Sequence, residues 1–185
     1  MTYTAATAGP SAQDPVTALD HAQGLSDADL VLVLYGDFQC PYTRQAVPGL
    51  TAARQALGDR LQVVFRHYPL VDIHPQARHA AEISEVAADA GHFWEMFEVL
   101  FSRQHHLGDD DLVRYAEEFG IDDTISEAAL RDLPHADRVQ RDVDSGSRAG
   151  VDGTPAFFLN GHRLSADWHD DGLLFALRDK LPAAH

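Results

Sequence analysis

The chain has 185 residues, 45% of them hydrophobic, and a formal net charge of -15. That length supports one domain with a real core, and that hydrophobic content is ordinary for a folded soluble protein. The acidic balance argues against nucleic acid and anionic membrane surfaces as partners, and no apolar run approaches the roughly 18 residues of a membrane span. Residues 1–25 show neither the basic start nor the apolar block of a signal peptide. Cys40 is the single cysteine, whereas a secreted scaffold would use pairs. A cytoplasmic location is the expectation.

Residues 1–13 are small and polar and read as a frayed tail, leaving 14–185 as one domain. The stretch from Asp14 to Asp29 is a lead-in with room for one short strand. Val31 to Leu34 reads as a buried strand ending at Gly36. A short link, Asp37-Phe38-Gln39, leads to Cys40-Pro41-Tyr42-Thr43. A helix is expected over about Tyr42 to Leu57, because Ala46, Val47, Leu50, Ala53 and Leu57 recur at helical spacing. Pro48 lies inside that pattern and is expected to kink it, and Gly58 suits its end. Leu61 to Phe65 reads as a second buried strand. Strand, helix and strand with short links imply a parallel unit.

The middle of the chain is helical in pattern. One face from Ala77 to Ala90 ends at Gly91, and a second runs from Phe93 to Phe101. Asp109, Asp110 and Asp111 favour a helix start, with an apolar face following to Phe119. A short helix is expected around Ser126 to Arg131, and another from about His135 to Ala149. Strand character returns at Ala156 to Leu159. Asn160-Gly161 then makes a two-residue hairpin turn into His162 to Leu164. A last helix covers Leu173 to Leu181. Periodicity alone gives an α/β domain with a helical insert.

Cys40 sits where a buried strand hands over to a helix. Unpaired N–H groups and the helix dipole at that point favour a thiolate, and Pro41 suits the first turn because its missing N–H costs nothing there. The chain resembles the DsbA-like disulfide oxidoreductases of the thioredoxin superfamily. The resemblance rests on Asp37 to Tyr42, on Val64-Phe-Arg-His-Tyr-Pro-Leu70 with His74-Pro75, on His92-Phe-Trp-Glu-Met-Phe97, and on Gly150 to Gly161. It implies a thioredoxin fold, core 14–74 and 150–185, with a DsbA-type helical insert at 75–149. It also implies that Thr154 and a cis Pro155 form a substrate loop facing Cys40, the Thr154 hydroxyl near the thiol. Pro41 and Tyr42 join that substrate surface.

In that family the position of Thr43 holds a second cysteine. Without it the intramolecular resolving step is lost. Cys40 and Thr43 are therefore the candidate catalytic pair, with Thr43 expected to donate a hydrogen bond to the thiolate. A mixed disulfide at Cys40 would be resolved by an external thiol, glutathione or another low-molecular-weight thiol, with no bound cofactor. The expected partners are protein or small-molecule thiols and disulfides, and the chain is expected to act as a monomer or homodimer. Two other readings stand beside this one. One is a kappa-type glutathione-dependent transferase or isomerase, which would use a serine-like hydroxyl where this chain has cysteine. The other is a redox-inactive domain that binds an extended peptide at the Pro155 loop.

The eleven histidines invite a metal hypothesis that local spacing does not support. His105 and His106 are adjacent, and His74 and His79 are five apart, off the spacing that aligns two ligands on a helix. No metal site is expected. Arg66 and His67 follow a strand, and one of them is expected to face the site. Asp37 is read either as tuning the proton balance of the motif or as a solvated loop carboxylate.

Overall fold

The structure is a computed structural model that describes residues 13–165, 168–169 and 172–182. Five strands form one sheet in the order β1-β3-β2-β4-β5. They are β1 (His21–Gln23), β2 (Leu30–Gly36), β3 (Leu61–His67), β4 (Ala156–Leu159) and β5 (His162–Arg163). β2 and β3 pair in parallel, whereas β1 on β3, β4 on β2 and β5 on β4 are antiparallel. α1 (Pro41–Leu57) connects the two parallel strands and runs through Pro48. Five helices then lie between β3 and β4: α2 (Ala77–Asp89), α3 (Phe93–Ser102), α4 (Asp109–Glu117), α5 (Asp123–Asp132) and α6 (Ala136–Arg148). α7 (Gly172–Arg178) packs on α1. This is the thioredoxin fold with a DsbA-like helical insertion.

Alternation along the central strands divides the core. Leu30, Leu32 and Leu34 of β2, with Val63 and Phe65 of β3, enter a large cluster with residues of α1, α2, α3 and α7. Val33, Tyr35 and Val64 point the other way, into a small cluster with Ala149, Val151 and Phe158. α6 closes this smaller face. It can do so because a Cβ on Gly146 would come within 2.8 Å of the Tyr68 ring and 3.0 Å of the Tyr35 ring. Tyr35 Oη and Ser145 Oγ then meet at 2.7 Å.

Two expectations change here. Residues 1–12 of the expected tail lie outside the described residues, but Gln13 is buried, and its backbone N–H donates to the Gly161 carbonyl. The fourth insert helix starts earlier than its apolar pattern does. Asp122 accepts from the Thr124 N–H at 2.9 Å and so caps α5 three residues ahead of Ser126.

Candidate active site

Cys40 is the residue immediately before α1, with extended backbone (φ -71°, ψ 119°), and Pro41 opens the helix. The loop that carries it is held from three sides. Its own turn closes through the Cys40 N–H, which donates to the Asp37 carbonyl at 3.1 Å. The Asp37 carboxylate accepts from the Gln39 N–H at 2.7 Å, the Leu70 N–H at 2.9 Å and His74 Nδ1 at 2.7 Å. Asp37 is thus buried and fully engaged rather than a solvated loop carboxylate. From the insert, Gln104 Nε2 donates to the Phe38 carbonyl at 2.7 Å and to the Cys40 carbonyl at 2.9 Å.

The thiol of Cys40 donates to the Thr154 carbonyl at 3.3 Å, so the start of α1 and the loop before β4 meet at the sulfur. The Thr154–Pro155 peptide is cis. Cys40 is 3% exposed, so the thiol is almost wholly buried. The Thr154 side chain is also buried, and its hydroxyl has no hydrogen-bond partner. Contact between this residue and the thiol therefore runs through the main chain. Thr43 is fully buried one turn into α1, but its hydroxyl accepts a long 3.5 Å contact from the Asp37 N–H. No hydrogen bond joins it to the Cys40 sulfur. The expected Thr43–thiolate bond is not formed: the hydroxyl accepts from the Asp37 N–H, and the thiol itself donates to the Thr154 carbonyl.

Several side chains exposed on the segments that carry or brace Cys40 are apolar. Pro41 and Tyr42 are exposed and Pro155 is half-buried. Val71 and Ile73 are also exposed, on the segment that Leu70 and His74 tie to Asp37. Neither Arg66 nor His67 turns to the sulfur. Arg66 enters the small face of the sheet, where it meets Asp20, and His67 enters the large face, where it meets Glu85. Gln104 was not singled out from the sequence, because a polar residue between two helical patterns carries no periodic signal. His74 enters the sequence reading within a motif and as a rejected metal ligand, and its bond to Asp37, which spans 37 residues, has no local signal.

Comparison with known proteins agrees with this architecture. The family described as thioredoxin matches residues 17–179. The Na(+)/H(+) antiporter NhaA 3 of Salinispora tropica is 41% identical over 167 residues, which are 89% of this chain and 25% of that protein. An NhaA 1 antiporter of Mycolicibacterium vanbaalenii is 39% identical over 160 residues, 85% of this chain and 26% of that protein. The chain therefore spans about a quarter of the length of these relatives. Among solved structures, oxidised BdbD from Bacillus subtilis superimposes with a TM-score of 0.77 at 20% identity, covering 91% of this chain and 94% of that one. MdbA from Corynebacterium diphtheriae, a thiol-disulfide oxidoreductase, gives 0.68 at 16% identity, covering 92% and 94%. At these identities the likeness is one of fold.

Proposed function

This chain belongs to the thioredoxin family, and from that premise we propose that it exchanges thiols and disulfides through Cys40 alone. The observation that carries this reading is the meeting of the Cys40 sulfur with the Thr154 carbonyl at the start of α1. The step balances without a second cysteine. The Cys40 thiolate attacks one sulfur of a substrate disulfide, forms a mixed disulfide, and releases the other sulfur as a thiolate. A second thiol, glutathione or a similar small thiol, then attacks the substrate sulfur of the mixed disulfide. It leaves joined to the substrate and returns Cys40 as thiolate, so the protein ends as it began.

Thr154 supports this reading twice. Its carbonyl holds the resting thiol, and its orphan hydroxyl is a donor available to a bound sulfur or peptide. The exposed Tyr42, Val71 and Ile73 offer apolar contact to an extended substrate. A reducing compartment such as the cytoplasm suits recycling by a small thiol. Ion antiport, named for the longer relatives, is not carried over to this chain.

The test is incubation of the reduced protein with glutathione disulfide, followed by intact mass. One adduct per chain is expected, reversed by excess glutathione and absent in Cys40→Ser. Thr43→Cys should convert the adduct into an internal disulfide, because the two sulfurs would share one helical turn. If the folded protein takes no adduct while the denatured protein does, the thiol is inert and the peptide-binding reading replaces this one.

A further inference from the structure

Away from Cys40, three elements bring metal-ligating atoms together. His21 of β1, His67 of β3 and Glu85 of α2 place one ligand atom each within 4.8 Å of the others. His21 Nε2 lies 2.7 Å and His67 Nε2 2.6 Å from the same oxygen, Glu85 Oε1. A carboxylate oxygen only accepts, so both rings present N–H there. Burial pushes the Glu85 carboxyl up, but the bonds from His21 and His67 outweigh it and hold the group far below the usual carboxylate range. Two imidazoles from different strands thus converge on one oxygen of a buried carboxylate.

The surroundings hold the donors in place. His21 stacks on Phe93 with ring centroids 3.5 Å apart and planes 7° apart. His67 stands edge-on to Phe65 at 5.3 Å. Arg138 is the nearby cation, with Nε 3.9 Å from Glu85 Oε1, but its Nη1 lies 2.5 Å from Asp142 Oδ1. Arg138 thus sits in ion-pair range of both Asp142 and Glu85, and Glu85 Oε1 receives the two imidazoles. The His67 and Glu85 side chains are 1% and 6% exposed, whereas His21, at 15%, is the most exposed of the three.

We propose that His21, His67 and Glu85 form a binding site for a divalent late first-row metal ion, with Zn2+ the best fit. Two imidazoles and one carboxylate are a zinc donor set, with the fourth position left for water. Zinc–ligand lengths of about 2.0–2.2 Å in a tetrahedron place neighbouring donors roughly 3.3 Å apart. Each ring withdraws from Oε1 by about 0.6–0.7 Å to admit the ion, and the two imidazole nitrogens, within 4.8 Å of each other, settle to the same spacing. A neutral ring carries its proton on Nδ1 instead and gives the Nε2 lone pair to the metal. The ligands are 64 and 18 residues from Glu85, which is why local histidine spacing does not disclose them. Such an ion ties the edge strand β1 to the insert helix α2, and the site is independent of the Cys40 chemistry.

The experiment is titration of the chelator-treated full chain with Zn2+ by calorimetry, and with Co2+ by visible absorption. One ion per chain is expected, with a tetrahedral Co2+ band and no thiolate charge-transfer band. His21→Gln and Glu85→Gln should each weaken Zn2+ binding by more than the roughly 10–100-fold typical of an outer-shell partner. Cys40→Ser should leave it unchanged. The proposal is overturned if the wild type takes up no saturating equivalent, if His21→Gln binds as tightly as wild type, or if Cys40→Ser abolishes uptake. His21 is the most exposed of the three, so its variant keeps the fold if Glu85→Gln does not, and the wild-type Co2+ spectrum stands without either.

Discussion

Arg66 and His67 are neighbours in β3, both buried, and they enter opposite faces of the sheet. On the small face every N–H of Arg66 is used. Nε and Nη2 grip the Asp20 carboxylate at 2.7 and 3.1 Å, Nη2 reaches the Pro15 carbonyl, and Nη1 reaches Asp14 O, Tyr35 Oη and Ser145 Oγ. On the large face two rings converge on one carboxylate oxygen. The first arrangement is saturated, and such a buried ion pair can only hold parts together. The second concentrates donors around one point and keeps protons that another cation can replace. Adjacent residues of one strand thus show a fastening and a receptor built from the same kinds of group.

The largest break in this comparison is expected from Arg66→Met. It leaves the Asp20 carboxylate buried without its cation and should cost about 3–5 kcal/mol, read as a fall in the urea midpoint. If the loss is under about 1 kcal/mol, the small face is not the fastening described. Next comes Gln104→Ala, on the insert side. It strips the Phe38 carbonyl of the Gln104 donor and should cost about 1–3 kcal/mol. It should also speed alkylation of Cys40, because the loop that buries the sulfur is released. An unchanged alkylation rate would show that Gln104 supports the fold without shielding the thiol.

The third effect is a pH dependence with two opposite signs. Burial pushes the Asp20 carboxyl up, but Arg66 and the Thr17 N–H outweigh it and hold it below the usual range. Glu85 is held down in the same sense. Depressed carboxyls stabilise the fold above their unfolded value of about 4, and that stability is lost as pH falls through the folded values. Burial lowers His135, while the bonds it donates to Glu82 and Asp89 outweigh it and raise the ring above its ordinary value. Its contribution is full below about 6.5 and is lost as pH rises through the folded value. Melting followed across pH should show a steep acid loss and a much smaller decline above neutrality. Ring resonances of His135 titrating at or below the ordinary value would remove the second limb.

Where local chemistry decides, the sequence was readable. β2 and β4 fall on Val31–Leu34 and Ala156–Leu159 because apolar β-formers there are bounded by Gly36 and by Asn160-Gly161. Cys40 was placed by the same handover from strand to helix. The side chains of the site were harder to place. Asp37 reads as a loop acid until Leu70 and His74 are folded over it, and Thr43 reads as a thiol partner until the thiol is seen to turn to the Thr154 carbonyl. In α2, Ala80, Ile83, Val86 and Ala87 marked an apolar face, yet Glu82, Ser84 and Glu85 are buried as well. That helix is enclosed nearly all round, so the polar side of its pattern faces His135, His21 and His67 rather than water. No one-dimensional period separates a carboxylate aimed at solvent from one aimed at a histidine dozens of residues away.

The sheet's outer strands carry a further meaning. β2 and β3 are seven residues each, but the borders are β1 with three and β5 with two. A border that short offers too few open amides to template a foreign strand, which is how natural sheets avoid edge-to-edge growth. Among the described residues, the sheet's two borders are thus its shortest strands, which limits the open edge available for pairing with a second chain.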